Sequence, residues 1–405
     1  MTKQKTVPRP AAAENEFQVP GFRFGATTAG LKDSGRSDLG LIVADTPVVA
    51  AGVFTRNRFR AAPVELALER LGQGRLRALL VNSGNANACT GDRGRIDAEK
   101  LCDWTADRLG CGPEEVLSAS TGLIGAPLPM GKLRRGIRAA TTALATDGAE
   151  SFAEAIQTTD AFSKIVATTV PGPDGPVRIL GIAKGAGMIA PEMATLLVFL
   201  LTDANLSATA ARQLARRVAG GSFNGLSVDG DTSTNDSLFV LASGQKRLAR
   251  RSGMPEAFAE AAVQVGRDLA TLVARDGEGS TKVVHLEVAS ARTESEARRV
   301  ARTVSRSTLV KTAFHGSDPN WGRIACAVGY SGVPVVPEKV TIAIGGVVVF
   351  ARGTGVPGSR TRARRHMLGS EIEVKIELGR GRARTQAITT DLSPAYVEFN
   401  SAYTT

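Results

Sequence analysis

From about residue 22 onward, apolar and polar positions fall into short runs whose period changes from one segment to the next. Leu39-Gly40-Leu41-Ile42-Val43 and Ala78-Leu79-Leu80-Val81 are unbroken apolar stretches bounded by Gly, Asn and Asp, the pattern of buried strands. Helical periods alternate with them. Segment 97–109 sets Leu101, Trp104, Ala106 and Leu109 near one face, and 133–144 does the same with Leu133, Ile137, Ala140 and Leu144. Ser207 is placed to cap a helix running to Ala219, with Gly220-Gly221 as its stop, and 255–274 carries another long apolar stripe. Near the C-terminus, Glu371-Ile372-Glu373-Val374-Lys375-Ile376-Glu377-Leu378 alternates without a break, as a half-exposed strand does. Val340 to Ile344 and Val347 to Phe350 flank Gly345-Gly346, a two-residue hairpin turn, so an antiparallel sheet is expected there. The alternation of the two periods predicts an α/β fold. No fixed-period repeat and no long linker divides the chain.

Composition agrees with a globular chain. At 405 residues, 43% hydrophobic and 5% aromatic, it is long enough for one sizeable core or two joined ones. Residues 1–19 mix Pro, Ala and charges without periodicity and are expected to form a disordered tail. The apolar stretch Leu196 to Leu201 is far shorter than the roughly 20 residues of a membrane-spanning helix. The N-terminal region lacks the continuous apolar core of a secretory signal, which predicts a cytoplasmic protein. Cys89, Cys102, Cys111 and Cys326 show no C-x-x-C spacing and are expected to be reduced and mostly buried. His285, His315 and His366 lie far apart, and no metal is expected. A net charge of +11 raises nucleic-acid binding, with 246–251 and 362–365 as the basic clusters. Their interleaved Ala and Leu, without aromatics to stack on bases, read instead as solvated helix or strand faces, so no nucleic-acid or membrane partner is expected.

The chemistry concentrates in 184–203, where a polar glycine-rich loop meets an apolar run at Thr195. A threonine hydroxyl is a weak nucleophile until a neighbouring base takes its proton, and a free α-amino group titrates near pH 8. A break before Thr195 would leave both groups on one residue, and the attack of Thr195 Oγ on the Ala194 carbonyl would make that break. Two alternatives stand beside this reading. Gly185-Ala186-Gly187-Met188-Ile189-Ala190 matches G-x-G-x-x-G/A, with Asp203 beyond it, but a dinucleotide loop must open a helix, and a strand-like run follows here. In the other alternative, Thr195 simply begins a core strand.

At this segment the chain resembles the ornithine acetyltransferase (glutamate N-acetyltransferase) family, whose members cleave themselves between the Ala and Thr of the motif. The likeness continues through 52–57, 82–88, Ser120-Thr121-Gly122, Thr158-Thr159-Asp160, 228–236, Asp276-Gly277-Glu278-Gly279, 318–323 and 400–405. The resemblance implies a layered α/β sandwich cut into an α chain, 20–194, and a β chain, 195–405, paired as two α and two β chains. It implies cleavage between Ala194 and Thr195, Thr195 as nucleophile, and Thr121 and Gly122 as the oxyanion hole. Thr158, Lys184, Thr195, Glu278, Asn400 and Thr405 are implied to bind substrate. The implied reaction is ping-pong: Thr195 takes the acetyl group of N-acetylornithine and glutamate collects it, a step of arginine biosynthesis. No resident cofactor is implied, and acetyl-CoA stands open as a second donor. The chain departs from the commoner family pattern at Glu192, where a small amide or hydroxyl side chain is more usual. A hydrolase with an N-terminal nucleophile and a basic, non-enzymatic binding protein are the competing functional classes.

Overall fold

The computed structural model describes residues 16–73, 75–190, 196–249 and 254–402. Two sheets carry the fold. In the first, the strand order is Val116–Leu123, Arg75–Asn85, Leu39–Phe54, Ser237–Lys246, Leu197–Ala204, Val177–Lys184 and Lys164–Val170, with Phe22–Thr27 paired to the start of Leu39–Phe54. Leu197–Ala204 thus lies inside this sheet, antiparallel to Val177–Lys184 and parallel to Ser237–Lys246. All eight of its residues are buried, as a strand covered on both faces requires. Val198 and Leu200 pack towards the helices Ala208–Gly221 and Glu256–Arg275, while Phe199 meets Phe152 and Phe239 on the opposite side. Helices Ala62–Arg70, Gly91–Leu109 and Met130–Thr142 cover the strands Leu39–Phe54 and Arg75–Asn85.

The second sheet runs Thr354–Gly355, Val347–Ala351, Thr341–Ile344, Glu371–Glu377, Val283–Ala291, Ala383–Thr390 and Leu226–Ser227. It is mixed rather than purely antiparallel: Val283–Ala291 runs parallel to Glu371–Glu377, and Ala383–Thr390 parallel to Leu226–Ser227. The expected hairpin is present, with Gly345 and Gly346 at φ 54° and 75°. Ile372, Val374 and Ile376 join Val284, Leu286 and Val288 beneath the helices Glu294–Arg306, Thr308–His315, Trp321–Gly329 and Ser359–Met367. Helices over sheets make the architecture a layered α/β one, as the two periods imply.

Ser207 caps its helix by accepting from the Ala210 amide at 3.2 Å. Ordered packing begins ahead of Phe22, because Val19 is already 2% exposed in the core; residues 1–15 of the expected tail lie outside the described ones. The thiols differ from expectation. Cys102 alone is buried, whereas Cys89 and Cys326 are exposed, Cys89 on a loop at positive φ and Cys326 on the helix Trp321–Gly329. Of the basic clusters, Arg247 is held by Asp174 at 2.7 Å, and Arg362, Arg364 and Arg365 are exposed on the helix Ser359–Met367. Among the described residues, no helix is long and apolar enough to cross a membrane.

Candidate functional site

The ends of several strands of the first sheet open into a cavity of about 590 Å³. Thr121 and Gly122 reach it from the end of Val116–Leu123, Lys184 from the end of Val177–Lys184, and Thr158 from the loop before Lys164–Val170. Glu278 and Asn400 line the same cavity. Of the residues singled out from the sequence, these six are therefore together. Ala194, Thr195, Thr405 and Glu192 lie outside the described residues. Thr195 is nevertheless joined covalently to Leu196, whose amide donates to Asp236 Oδ1 at 2.9 Å.

Backbone geometry explains the Ser120-Thr121-Gly122 sequence. Gly122 has φ 132° and lies against Gly84 in the neighbouring parallel strand; a Cβ there would come within 2.3 Å of the Gly84 carbonyl carbon. Thr121 is 3% exposed, and its Oγ1 accepts from Lys184 Nζ at 3.2 Å. The same ammonium donates to Thr158 Oγ1 at 2.7 Å and lies 3.8 Å from Asp160 Oδ2. Burial lowers the pKa of Lys184 from the ordinary lysine value, and the attraction of Asp160 offsets this only in part.

Behind Lys184 runs a chain of buried charges. Lys164 Nζ lies 2.7 Å from Asp160 Oδ1 and 2.6 Å from Asp276 Oδ2. Burial opposes ionisation of Asp160, but Lys164 and then Lys184, helped by hydrogen bonds, hold its carboxyl far below the usual range. Burial likewise opposes the charge on Lys164, and Asp160 and Asp276 outweigh it.

The loop 185–190 is pinned on both sides. Asp229 accepts from the amides of Met188 at 2.6 Å and Ile189 at 2.8 Å, with Met188 at φ 55°. A Cβ on Gly187 would strike the Glu278 carboxylate at 2.2 Å, so this glycine lets the loop lie directly on Glu278. No helix begins in this loop through Ala190, and Asp203 is buried with its Oδ1 on the Arg178 amide. The dinucleotide alternative is thereby removed, because its phosphate site requires a helix N-terminus. Asn400 sits on the helix Pro394–Ala402, with its Nδ2 3.2 Å from Glu278 Oε2.

Sequence reasoning missed Asp236, Asp160, Lys164 and Asp276 as parts of the site. Asp236 is fully buried, and burial holds its carboxyl well above the ordinary value. A useful signal is that each belongs to or adjoins a polar motif inside an otherwise apolar surround. Asn235 was likewise unassigned; its Nδ2 donates to Ala86 O at 2.6 Å and Ser120 O at 2.8 Å, stitching 228–236 to the strand end bearing Thr121.

Among solved structures, an ArgJ from Bacillus halodurans is 39% identical and covers 44% of this chain and 92% of its own, with a TM-score of 0.41. The ornithine acetyltransferase of Mycobacterium tuberculosis, solved in complex with ornithine, is 42% identical and covers 44% of this chain and 94% of its own, with a TM-score of 0.42. Curated relatives align far more completely. The arginine biosynthesis bifunctional protein ArgJ of Syntrophotalea carbinolica is 45% identical over 96% of this chain and 100% of its own length. The protein of that name from Thermus thermophilus is 45% identical over 95% of this chain and 98% of its own. The ArgJ family model matches residues 23–405. The chain therefore belongs to the ArgJ family.

Proposed function

We propose that this chain is a self-cleaving N-acetyltransferase of arginine biosynthesis, moving an acetyl group from N-acetylornithine to glutamate through an acetyl ester on Thr195. The observation that carries the reading is the convergence of Thr121, Gly122, Thr158, Lys184, Glu278 and Asn400 on one cavity, with Leu196 anchored on Asp236 at the start of a buried strand. Membership of the ArgJ family supports it further.

In this reading, Thr195 Oγ attacks the Ala194 carbonyl, the Ala194–Thr195 amide breaks, and the amine leaves with a proton. Water then hydrolyses the ester, freeing the Ala194 carboxylate and the Thr195 hydroxyl. The new α-amino group takes the hydroxyl proton as Thr195 attacks the acetyl carbonyl of N-acetylornithine. The tetrahedral oxygen is held by the Thr121 hydroxyl and the Gly122 amide. Lys184, already turned towards Thr121, supplies positive charge beside that hydroxyl and suits the substrate α-carboxylate. Glu278 suits the side-chain ammonium, with Thr158, Asn400 and Thr405 completing the contacts. The C–N bond breaks, ornithine leaves with the proton, and the glutamate amine attacks the ester to regenerate Thr195.

Two fragments, 1–194 and 195–405, would remain associated, because Leu197–Ala204 and Ser237–Lys246 are inserted between Val177–Lys184 and Leu39–Phe54. We place the assembly in the cytoplasm as two α and two β chains, with no resident cofactor and with acetyl-CoA as a candidate second donor. Incubation with N-acetylornithine, with and without glutamate, tests the reaction. Acetylglutamate is expected only with glutamate present; equal acetate release in both tubes would assign hydrolysis instead.

A further inference from the structure

None of the reacting atoms needs Lys164 or Asp276, yet both are buried and joined by a direct ion pair. A buried pair is a weak source of stability compared with apolar residues of the same volume, and its best-attested use is to fix one geometry against others. Its two arms lead to Lys184 and Glu278, two of the charged groups of a cavity that Asp229 and Asp231 also line. On one side, Lys164 holds Asp160, which accepts from the Gly185 amide at 2.7 Å, directly after Lys184, and from the amide of Thr158 at 3.0 Å, whose hydroxyl accepts from Lys184. On the other, Lys164 holds Asp276, the residue that ends the helix Glu256–Arg275 and stands two positions before Glu278. Asp276 is itself tied to the Ala161 amide at 3.0 Å, and the Glu278 amide to Ala186 O at 2.9 Å.

We propose that Lys164 is a positioning residue that fixes the separation of Lys184 and Glu278, and thereby selects the side-chain length of the diamino acid the cavity accepts. The proposal rests on reading Lys184 as the partner of the substrate carboxylate and Glu278 as the partner of its side-chain ammonium. A carboxylate and an ammonium at the two ends of one ligand are discriminated by length only if their receptors cannot drift. The alternating charges Lys184, Asp160, Lys164 and Asp276 supply that rigidity without net charge.

The test compares kcat/KM for the α-N-acetyl derivatives of ornithine, of its one-carbon-shorter homologue and of lysine. Asp276→Asn preserves shape and the acceptor for Ala161 while removing one charge; Lys164→Arg keeps the charge but changes its reach, and answers the question if the first variant does not fold. Either substitution is expected to reduce the preference for ornithine over both homologues about tenfold, the scale of one methylene. Equal loss of kcat for all three substrates with unchanged ratios would overturn the proposal. Calorimetric binding of free ornithine and lysine to wild type and variant separates this inference from the functional reading. Wild type that binds ornithine preferentially but transfers no acetyl group defeats only the reaction, whereas an affinity ratio unmoved by the substitution defeats only the positioning role.

Discussion

Gly122 shows how a single backbone position constrains the chemistry. With φ 132° and the Gly84 carbonyl carbon 2.3 Å from where a Cβ would stand, any side chain forces the two strands apart just where Thr121 faces Lys184. Gly122→Ala is expected to lower kcat by about 10²–10³-fold, the cost of misplacing the proposed oxyanion donor. An unchanged rate in steady-state assays would contradict the assignment. Asp229 gives a second test at this scale. Its carboxyl is pushed up to about 6, chiefly by burial and against the pull of the Asp231, Met188 and Ile189 amides. Because that value exceeds the unfolded carboxyl value of about 4, its contribution to stability is full below about pH 4 and is lost as pH rises through about 6. The stability advantage of wild type over Asp229→Asn should therefore shrink by roughly 2–3 kcal/mol across that window. Denaturant titrations giving a flat difference would contradict the shift.

At the scale of elements, the polar segment 228–236 and the strand ends act as one unit through Asn235. Its amide satisfies two buried carbonyls from the other side of the proposed cleavage position. Asn235→Ala leaves both without that donor and is expected to cost about 2 kcal/mol, read as a lowered melting temperature. The elements themselves were largely legible in the sequence. The apolar runs at 39–43 and 78–81 mark parts of Leu39–Phe54 and Arg75–Asn85, Ser207 marks a helix start, and strict alternation marks Glu371–Glu377. The pairing of Glu371–Glu377 was not legible, since a parallel partner 88 positions upstream, Val283 for Glu371, leaves no local signal. The buried charges escaped for the same reason. Lys164 and Asp276 are 112 residues apart, and each alone has the appearance of a surface charge. Thr121, Lys184 and Glu278, which line one cavity, are linked in the sequence only by the resemblance, which joins motifs that spacing cannot.

For the whole molecule, the topology and the proposed break belong together. A cut before Thr195 would separate the chain into two pieces that interleave in one sheet, with Leu197–Ala204 hydrogen-bonded on one edge to Val177–Lys184 and Ser237–Lys246 flanked by Leu39–Phe54. Such pieces share the core around Phe152, Phe199 and Phe239 and should co-elute in native buffer while separating under denaturant. The proposed break would also supply the base, so maturation and catalysis would stand or fall together. The most direct measurement is intact-mass spectrometry of purified protein after exposure to N-acetylornithine without glutamate. The account predicts two fragments divided between Ala194 and Thr195, with a single acetyl group on the C-terminal fragment at Thr195. One unbroken, active polypeptide, or an acetyl group carried by another residue, would contradict it.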